Sequence, residues 1–245
     1  GVEGQRTLTG VSFTVNHNFR YIVMNINNRY ERQTALPEIG SEGQERLARA
    51  RVLIVGVGGL GCPVALYLAA AGIGTLVLVD DDMVSLTNLQ RQVLYTEADQ
   101  GKPKVLCAAQ RLRQLNSQIR IEINPCRLSG RNVAALMEGC DLVLDGTDNF
   151  ATRYILDNAC ARMHIPYIYG AVRGLEGQVA VLHAGPAPRT YRDLYPDEEA
   201  MCALPPDPHV VGVTPAVVGA VQANEALKIL AGYGEHLYGR RQSLD

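Results

Sequence analysis

The chain has 245 residues with 47% hydrophobic side chains, 23 Lys and Arg against 25 Asp and Glu, and six cysteines. A chain of this size buries enough surface to form a full core without a disulfide or metal staple, and its net charge of −2 argues against a dominant nucleic-acid or anionic-membrane face. No apolar run reaches the roughly 18 residues of a membrane span, and no two cysteines form a Cys-x-x-Cys unit, so they read as reduced, mostly packed thiols of a cytoplasmic protein.

Residues 1–28 read as an N-terminal extension. Val11, Phe13, Val15, Phe19, Tyr21 and Val23 alternate with polar partners around Asn16-His17-Asn18, the pattern of a small hairpin. Residues 29–245 read as one domain. Ser41 is expected to cap a helix running to Ala50, with Gln44 in the capping-box position. An unbroken apolar strand, Arg51 to Val55, leads into the turn Gly56-Val57-Gly58-Gly59-Leu60-Gly61, a helix from Pro63 to Ala71, and a strand from Thr75 to Val79 that ends at Asp80. Strands apolar on both faces suit a parallel sheet covered by helices on both sides. The alternation continues with helix 102–115, strand 119–124, helix 131–137, strand 141–145, helix 150–163 and strand 166–169. The expected fold class is therefore α/β, with a doubly wound, mostly parallel, Rossmann-like sheet. Gln178 to His183 reads as a further strand, and Ala184 to Val211 as a proline-rich crossover loop without periodicity. A helix from Pro215 to Ala231 follows, with Pro215 at its first position and Gly232 as its stop.

The glycine turn follows a strand and opens a helix, and an acidic residue ends the next strand. In such a unit the backbone N–H groups approach a phosphate at a helix N-terminus while the carboxylate accepts from ribose hydroxyls. That much fits a dinucleotide-dependent oxidoreductase as well as an ATP enzyme. The residues after Asp80 separate the two. Asn88, Arg91 and Lys104 form an amide-plus-cation set that a dehydrogenase has no use for, whereas a triphosphate needs its charge neutralised. Asp145-Gly146-Thr147-Asp148-Asn149 stands at the end of another apolar strand, where loops of such sheets meet ligands. There Asn149 is expected to cap the next helix, leaving Asp148 free for Mg²⁺, which takes one or two carboxylates plus phosphate oxygens and water.

Arg29-Tyr30-x-Arg32-Gln33, the glycine turn with Cys62, Asp80 through Gln92, Lys102-Pro103-Lys104, Leu144 through Asn149, and Glu176-Gly177-Gln178 together resemble the ThiF/MoeB/HesA family, bacterial relatives of the ubiquitin-activating enzymes. The resemblance implies ATP-dependent adenylylation of the C-terminal Gly-Gly carboxylate of a ubiquitin-like sulfur-carrier protein. It points first to a ThiS-type carrier in thiamine biosynthesis, then to a MoaD-type carrier in molybdopterin biosynthesis. A non-catalytic module that docks a ubiquitin-like tail is the reading from another class. The resemblance also implies Gly58 and Gly59 at the phosphates, Asp80 at the ribose, Asn88, Arg91 and Lys104 around the triphosphate, and Asp148 at Mg²⁺. Arg32 would reach the phosphates of the other subunit of a homodimer.

Two departures from the family pattern accompany it. Many members hold zinc with two Cys-x-x-Cys pairs. Here the first pair's place reads Thr190-Tyr191-Arg192-Asp193 and no second pair precedes Asp245, so zinc is expected to be absent. Cys202 lies where some relatives carry a cysteine that forms a thioester, persulfide or disulfide with the carrier, and it is the candidate nucleophile.

Overall fold

The structure, a computed structural model, describes residues 29–205 and 209–244. The hairpin read over residues 11–23 lies outside these residues. In chain order the main elements are α1 (Gly40–Arg49), β1 (Arg51–Val55), α2 (Gly61–Ala71), β2 (Thr75–Val79), α3 (Lys104–Leu115), β3 (Arg120–Asn124), α4 (Val133–Leu136) and β4 (Leu142–Asp145). They continue with α5 (Phe150–Met163), β5 (Tyr167–Arg173), β6 (Glu176–Leu182), α6 (Tyr191–Leu194), α7 (Glu198–Cys202), α8 (Val213–Ala231) and β7 (Arg241–Leu244).

The strands form one sheet in the order β3-β2-β1-β4-β5-β6-β7. β3, β2, β1, β4 and β5 run parallel, while β6 and β7 pair antiparallel. The parallel part is the doubly wound arrangement that the apolar strands predict, because each central strand is buried on both faces. Two apolar layers flank it. Leu53, Val77, Val143 and Tyr167 point to α4 and α5, whereas Ile54, Leu78, Leu144 and Ile168 point to α2, α3 and α8. Full burial of side chains such as Leu53 and Ile54 contributes about 1.5–3 kcal/mol each.

Several boundaries differ from the sequence expectation for identifiable reasons. α1 begins at Gly40 and Ser41 caps nothing. The turn before it already receives the N–H groups of Ile39 and Gly40 at the Leu36 carbonyl, and that of Gly43 at the Ile39 carbonyl. α8 begins at Val213, which puts Pro215 third in the helix, where its missing N–H still costs nothing. β5 extends to Arg173 because its second half pairs with β6, Arg173 facing Glu176. The crossover segment is not without structure. Thr190 and Asp193 close α6 by a reciprocal capping box, and Asp197 caps α7 by accepting from the Ala200 N–H at 2.9 Å.

Where β1 has β2 on one side and β4 on the other, the strand order reverses, and ligands of open α/β sheets bind at that crevice. The register sets Val55 opposite both Val79 and Asp145, so Gly56, Asp80 and Gly146 become neighbours. The Gly56 N–H donates to Val79 O at 2.8 Å and the Gly146 N–H to Val55 O at 2.7 Å. A Cβ on Gly61 or Gly146 would fall on the Gly56 carbonyl oxygen. Gly146→Ala is therefore expected to destabilise the fold by about 1–3 kcal/mol in urea unfolding. Gly130→Ala, which meets nothing within 4 Å, is expected to be neutral or to stabilise by up to about 1 kcal/mol.

Candidate functional site

The glycine turn is held by hydrogen bonds to one of its buried residues, Val57. The Val57 N–H donates to Asp80 Oδ2 at 2.7 Å, and its carbonyl accepts from the Tyr95 hydroxyl at 2.6 Å and from the Cys62 thiol at 3.4 Å. Burial pushes the Cys62 thiol up to about 12, so the sulfur stays protonated and can donate. The other Asp80 oxygen accepts from the Asp82 N–H at 2.8 Å. Each carboxylate oxygen of Asp80 thus has one backbone donor and a lone pair to spare. Burial raises the Asp80 carboxyl above its ordinary value, and the two N–H bonds and the charge of Lys104 pull it back. Lys104 is not a solvated surface cation. It is 5% exposed, and its ammonium pairs with Asp82 at 2.8 Å.

The segment after β2 lies against the turn. Leu86–Asn88 forms a 3₁₀ turn in which Asn88 Oδ1 accepts from the Ser85 N–H at 3.2 Å, leaving the Asn88 amide N–H groups without a partner among the described residues. Arg91 donates to Thr87 O at 3.0 Å, and its Cδ would be 3.5 Å from a Cβ on Gly59. Gln92 is buried, its Oε1 lacks a partner among the described residues, and its Nε2 would be 3.5 Å from a Cβ on Gly58. The start of α8 closes this side, with Pro215 against Gly59 and Gly212 against the Gln90 carbonyl.

The loop after β4 forms the opposite wall. Asn149 caps α5, accepting from the Thr152 N–H at 2.9 Å. Asp148 is exposed and has no partner among the described residues. Asp145 is the residue that shapes this loop. It is fully buried and ion-paired with Arg153 at 3.2 Å, and it accepts from the Thr147 N–H and hydroxyl at 2.8 and 2.6 Å and from the Tyr167 hydroxyl at 3.0 Å. Arg153 also donates to Thr147 O at 2.9 Å, and Gln222 on α8 donates to Asp145 O at 2.8 Å. Sequence reasoning missed Arg153 and Gln222. The available signal was a charge and an amide among the apolar residues of two helices, where they are rarely buried unpaired.

Arg32 and Cys202 stand apart from this group. Residues 29–34 are seated at the far end of α2. Arg29 donates to Leu115 O at 3.0 Å, the Tyr30 hydroxyl accepts from Asn116 at 2.8 Å, and Gln33 donates to Ala71 O at 3.3 Å. The eleven residues of α2 span about 15 Å between that seat and the glycine turn. Arg32 itself is exposed. Cys202 ends α7, exposed, on the crossover segment. At the place of the family's first Cys pair, Thr190 and Asp193 bond each other's N–H groups, and Tyr191 is buried against Tyr154, Tyr169 and Tyr195.

No helix of the described residues is long and apolar enough to cross a membrane. A model of the ThiF family matches residues 30–245. The chain is 47% identical over 218 residues to the sulfur carrier protein adenylyltransferase of Thermus thermophilus, covering 86% of this chain and 80% of that one. It is 44% identical over 216 residues to the SAMP-activating enzyme E1 of Haloferax volcanii, covering 87% and 79%. It is 43% identical over 219 residues to the adenylyltransferase and sulfurtransferase MOCS3-2 of Zea mays, of which it spans 45%. Among solved structures, E. coli MccB with ATP superimposes with a TM-score of 0.75 at 25% identity over 93% of this chain and 74% of that one. Likeness of this extent, spread well beyond the glycine turn, removes the oxidoreductase reading: the chain belongs to the ThiF family, and it is an adenylyltransferase.

Proposed function

We propose that the protein uses ATP to adenylylate the C-terminal Gly-Gly carboxylate of a ubiquitin-like sulfur carrier. The carrier is of ThiS type in thiamine biosynthesis or of MoaD type in molybdopterin biosynthesis; both present the same tail. The observation that carries this reading is the glycine turn at the reversal of the strand order, where Asp80 holds the Val57 N–H and the Arg91 side chain lies against Gly59; Asn88, with a spare amide, belongs to the same segment as Arg91, and the exposed Asp148 to the loop after β4. The names of the Thermus and Haloferax relatives support the carrier class.

In this reading Gly58 and Gly59 face the phosphates, Asp80 accepts from the ribose, and Asn88 and Arg91 hold the triphosphate. Lys104, tied to Asp82, adds positive potential beneath them. A terminal carboxyl has a pKa of about 3.3–3.7 and is ionised at pH 7, so the site needs no general base. Its work is to bring two anions together. One carboxylate oxygen attacks the α-phosphorus, the bond to the bridging oxygen breaks, and pyrophosphate leaves with that electron pair. The exposed carboxylate of Asp148 fits Mg²⁺, which offsets phosphate charge when bound. Zinc has no part in the reading, which the hydrogen-bonded turn at Thr190 to Asp193 supports. Cys202 is the thiol proposed to meet the activated carrier, displacing AMP to form a thioester.

The seat of Arg32 supports action on a second copy, because its own glycine turn is a helix length away. An apolar groove of about 540 Å³ lined by Leu66, Tyr67, Val93, Leu115 and Val217 runs along α2 between the two. A twofold contact there would exchange the ends of α2 reciprocally.

ATP–pyrophosphate exchange is expected with a Gly-Gly-ended carrier, and Arg91→Ala is expected to reduce it by about 10²-fold or more; no exchange with any such carrier would sink the proposal. Arg32→Ala and Arg91→Ala proteins, each inactive alone, are expected to regain partial activity when mixed as subunits, and unchanged inactivity would exclude action in trans. ATP affinity needs ionised Asp80, whose pKa lies above the ordinary carboxylate value. Affinity should therefore be full well above that raised value and fall as pH drops through it, at a higher pH than the usual carboxylate value of about 3.9. Calorimetric titration with ATP from pH 4 to 7.5 reads this directly.

A further inference from the structure

Resting on that nucleotide reading, we infer that Tyr95 is a positioning residue: its hydroxyl sets the direction in which Gly58 presents its N–H to the phosphates. A trans peptide is planar and carries its C=O and N–H on opposite edges. The Val57 carbonyl and the Gly58 N–H belong to the same peptide. The carbonyl points inward to the Tyr95 hydroxyl at 2.6 Å, with the Cys62 thiol second at 3.4 Å. The Gly58 N–H must then point outward, and it has no backbone acceptor among the described residues. The peptide before Val57 is held separately, by Asp80.

Glycine offers little resistance to rotation about its own φ, so the turn needs an outside tether to keep this peptide from flipping. A flipped peptide would set the Val57 carbonyl oxygen against a phosphate and turn the donor inward. Tyr95 is 6% exposed and belongs to the same stretch as Arg91, its N–H donating to Gln92 O at 3.1 Å. The segment that carries the cation therefore also sets the donor.

The test is Tyr95→Phe, which removes one oxygen from a buried ring, compared with wild type by calorimetry against Mg-ATP and against adenosine. The Kd for ATP is expected to rise about tenfold, the equivalent of one hydrogen bond of about 1.4 kcal/mol, while adenosine affinity changes less than twofold. In exchange assays the KM for ATP should rise and the KM for the carrier should not. Cys62→Ala, which removes the weaker donor, should shift ATP in the same direction by about twofold, and it serves where Tyr95→Phe does not fold. Cys160→Ala, at a buried position on α5, controls for lost stability and should leave both affinities unchanged. Equal weakening of ATP and adenosine, or wild-type ATP affinity in Tyr95→Phe, overturns the inference alone. A wild-type protein that binds no ATP overturns the nucleotide reading and the inference with it.

Discussion

The crevice exists because three glycines let backbone meet backbone. Gly56, Gly61 and Gly146 come from the end of β1, the start of α2 and the end of β4, and a Cβ on either of the latter two would collide with the Gly56 carbonyl. The contact draws the loops after β1 and β4 together at the reversal of the strand order. It brings the glycine turn, Asp80 and the loop that carries Asp148 to one end of the sheet. Similar pressure recurs behind the site. A Cβ on Gly170 would strike Gln222, and one on Gly177 would strike Val218, so α8 lies flush on β5 and β6.

Flush packing brings polar groups out of water, and the Asp145–Arg153 pair shows how that is handled. Transfer of two charges into the interior costs several kcal/mol per ion, and removing one partner costs about 3–5 kcal/mol because the other is left buried alone. Asp145 is surrounded by Arg153, the Thr147 N–H and hydroxyl and the Tyr167 hydroxyl. The pair is weak evidence for net stability. Its visible effect is directional: Asp145 and Arg153 hold Thr147, and Asp148 is left exposed, without a partner among the described residues.

The site also separates charges by burial. Lys104 pairs with Asp82, while Arg91 is held, among the described residues, by a backbone carbonyl. An arginine held by a carbonyl keeps its full charge, whereas that of the paired lysine is partly offset by its partner. Arg32 is exposed on the segment seated at the other end of α2 by Arg29, Tyr30 and Gln33.

How much was legible follows the range of the interactions. Apolar runs and periodicity are local, so β1, β2, β4, α5 and the doubly wound arrangement could be read from residues alone, as could the Asn149 cap, which depends on a neighbour three residues on. Motif order points Asp80, Asn88, Arg91 and Asp148 toward one ligand class without reference to geometry. Ser41 failed as a cap because the preceding turn had already satisfied the donors, a fact set by where the chain comes from. Arg153, Gln222 and Tyr95 were invisible as site residues because their partners lie eight, 77 and 38 positions away and are recognised only once the sheet brings strand ends together. The sequence by itself determined the parallel core strands, the glycine turn and the chemistry of the charged groups, but not the edge strand β7. Only the tertiary structure decided which of those groups face the crevice and which are spent holding its walls, because burial and hydrogen-bond partners are properties of packing.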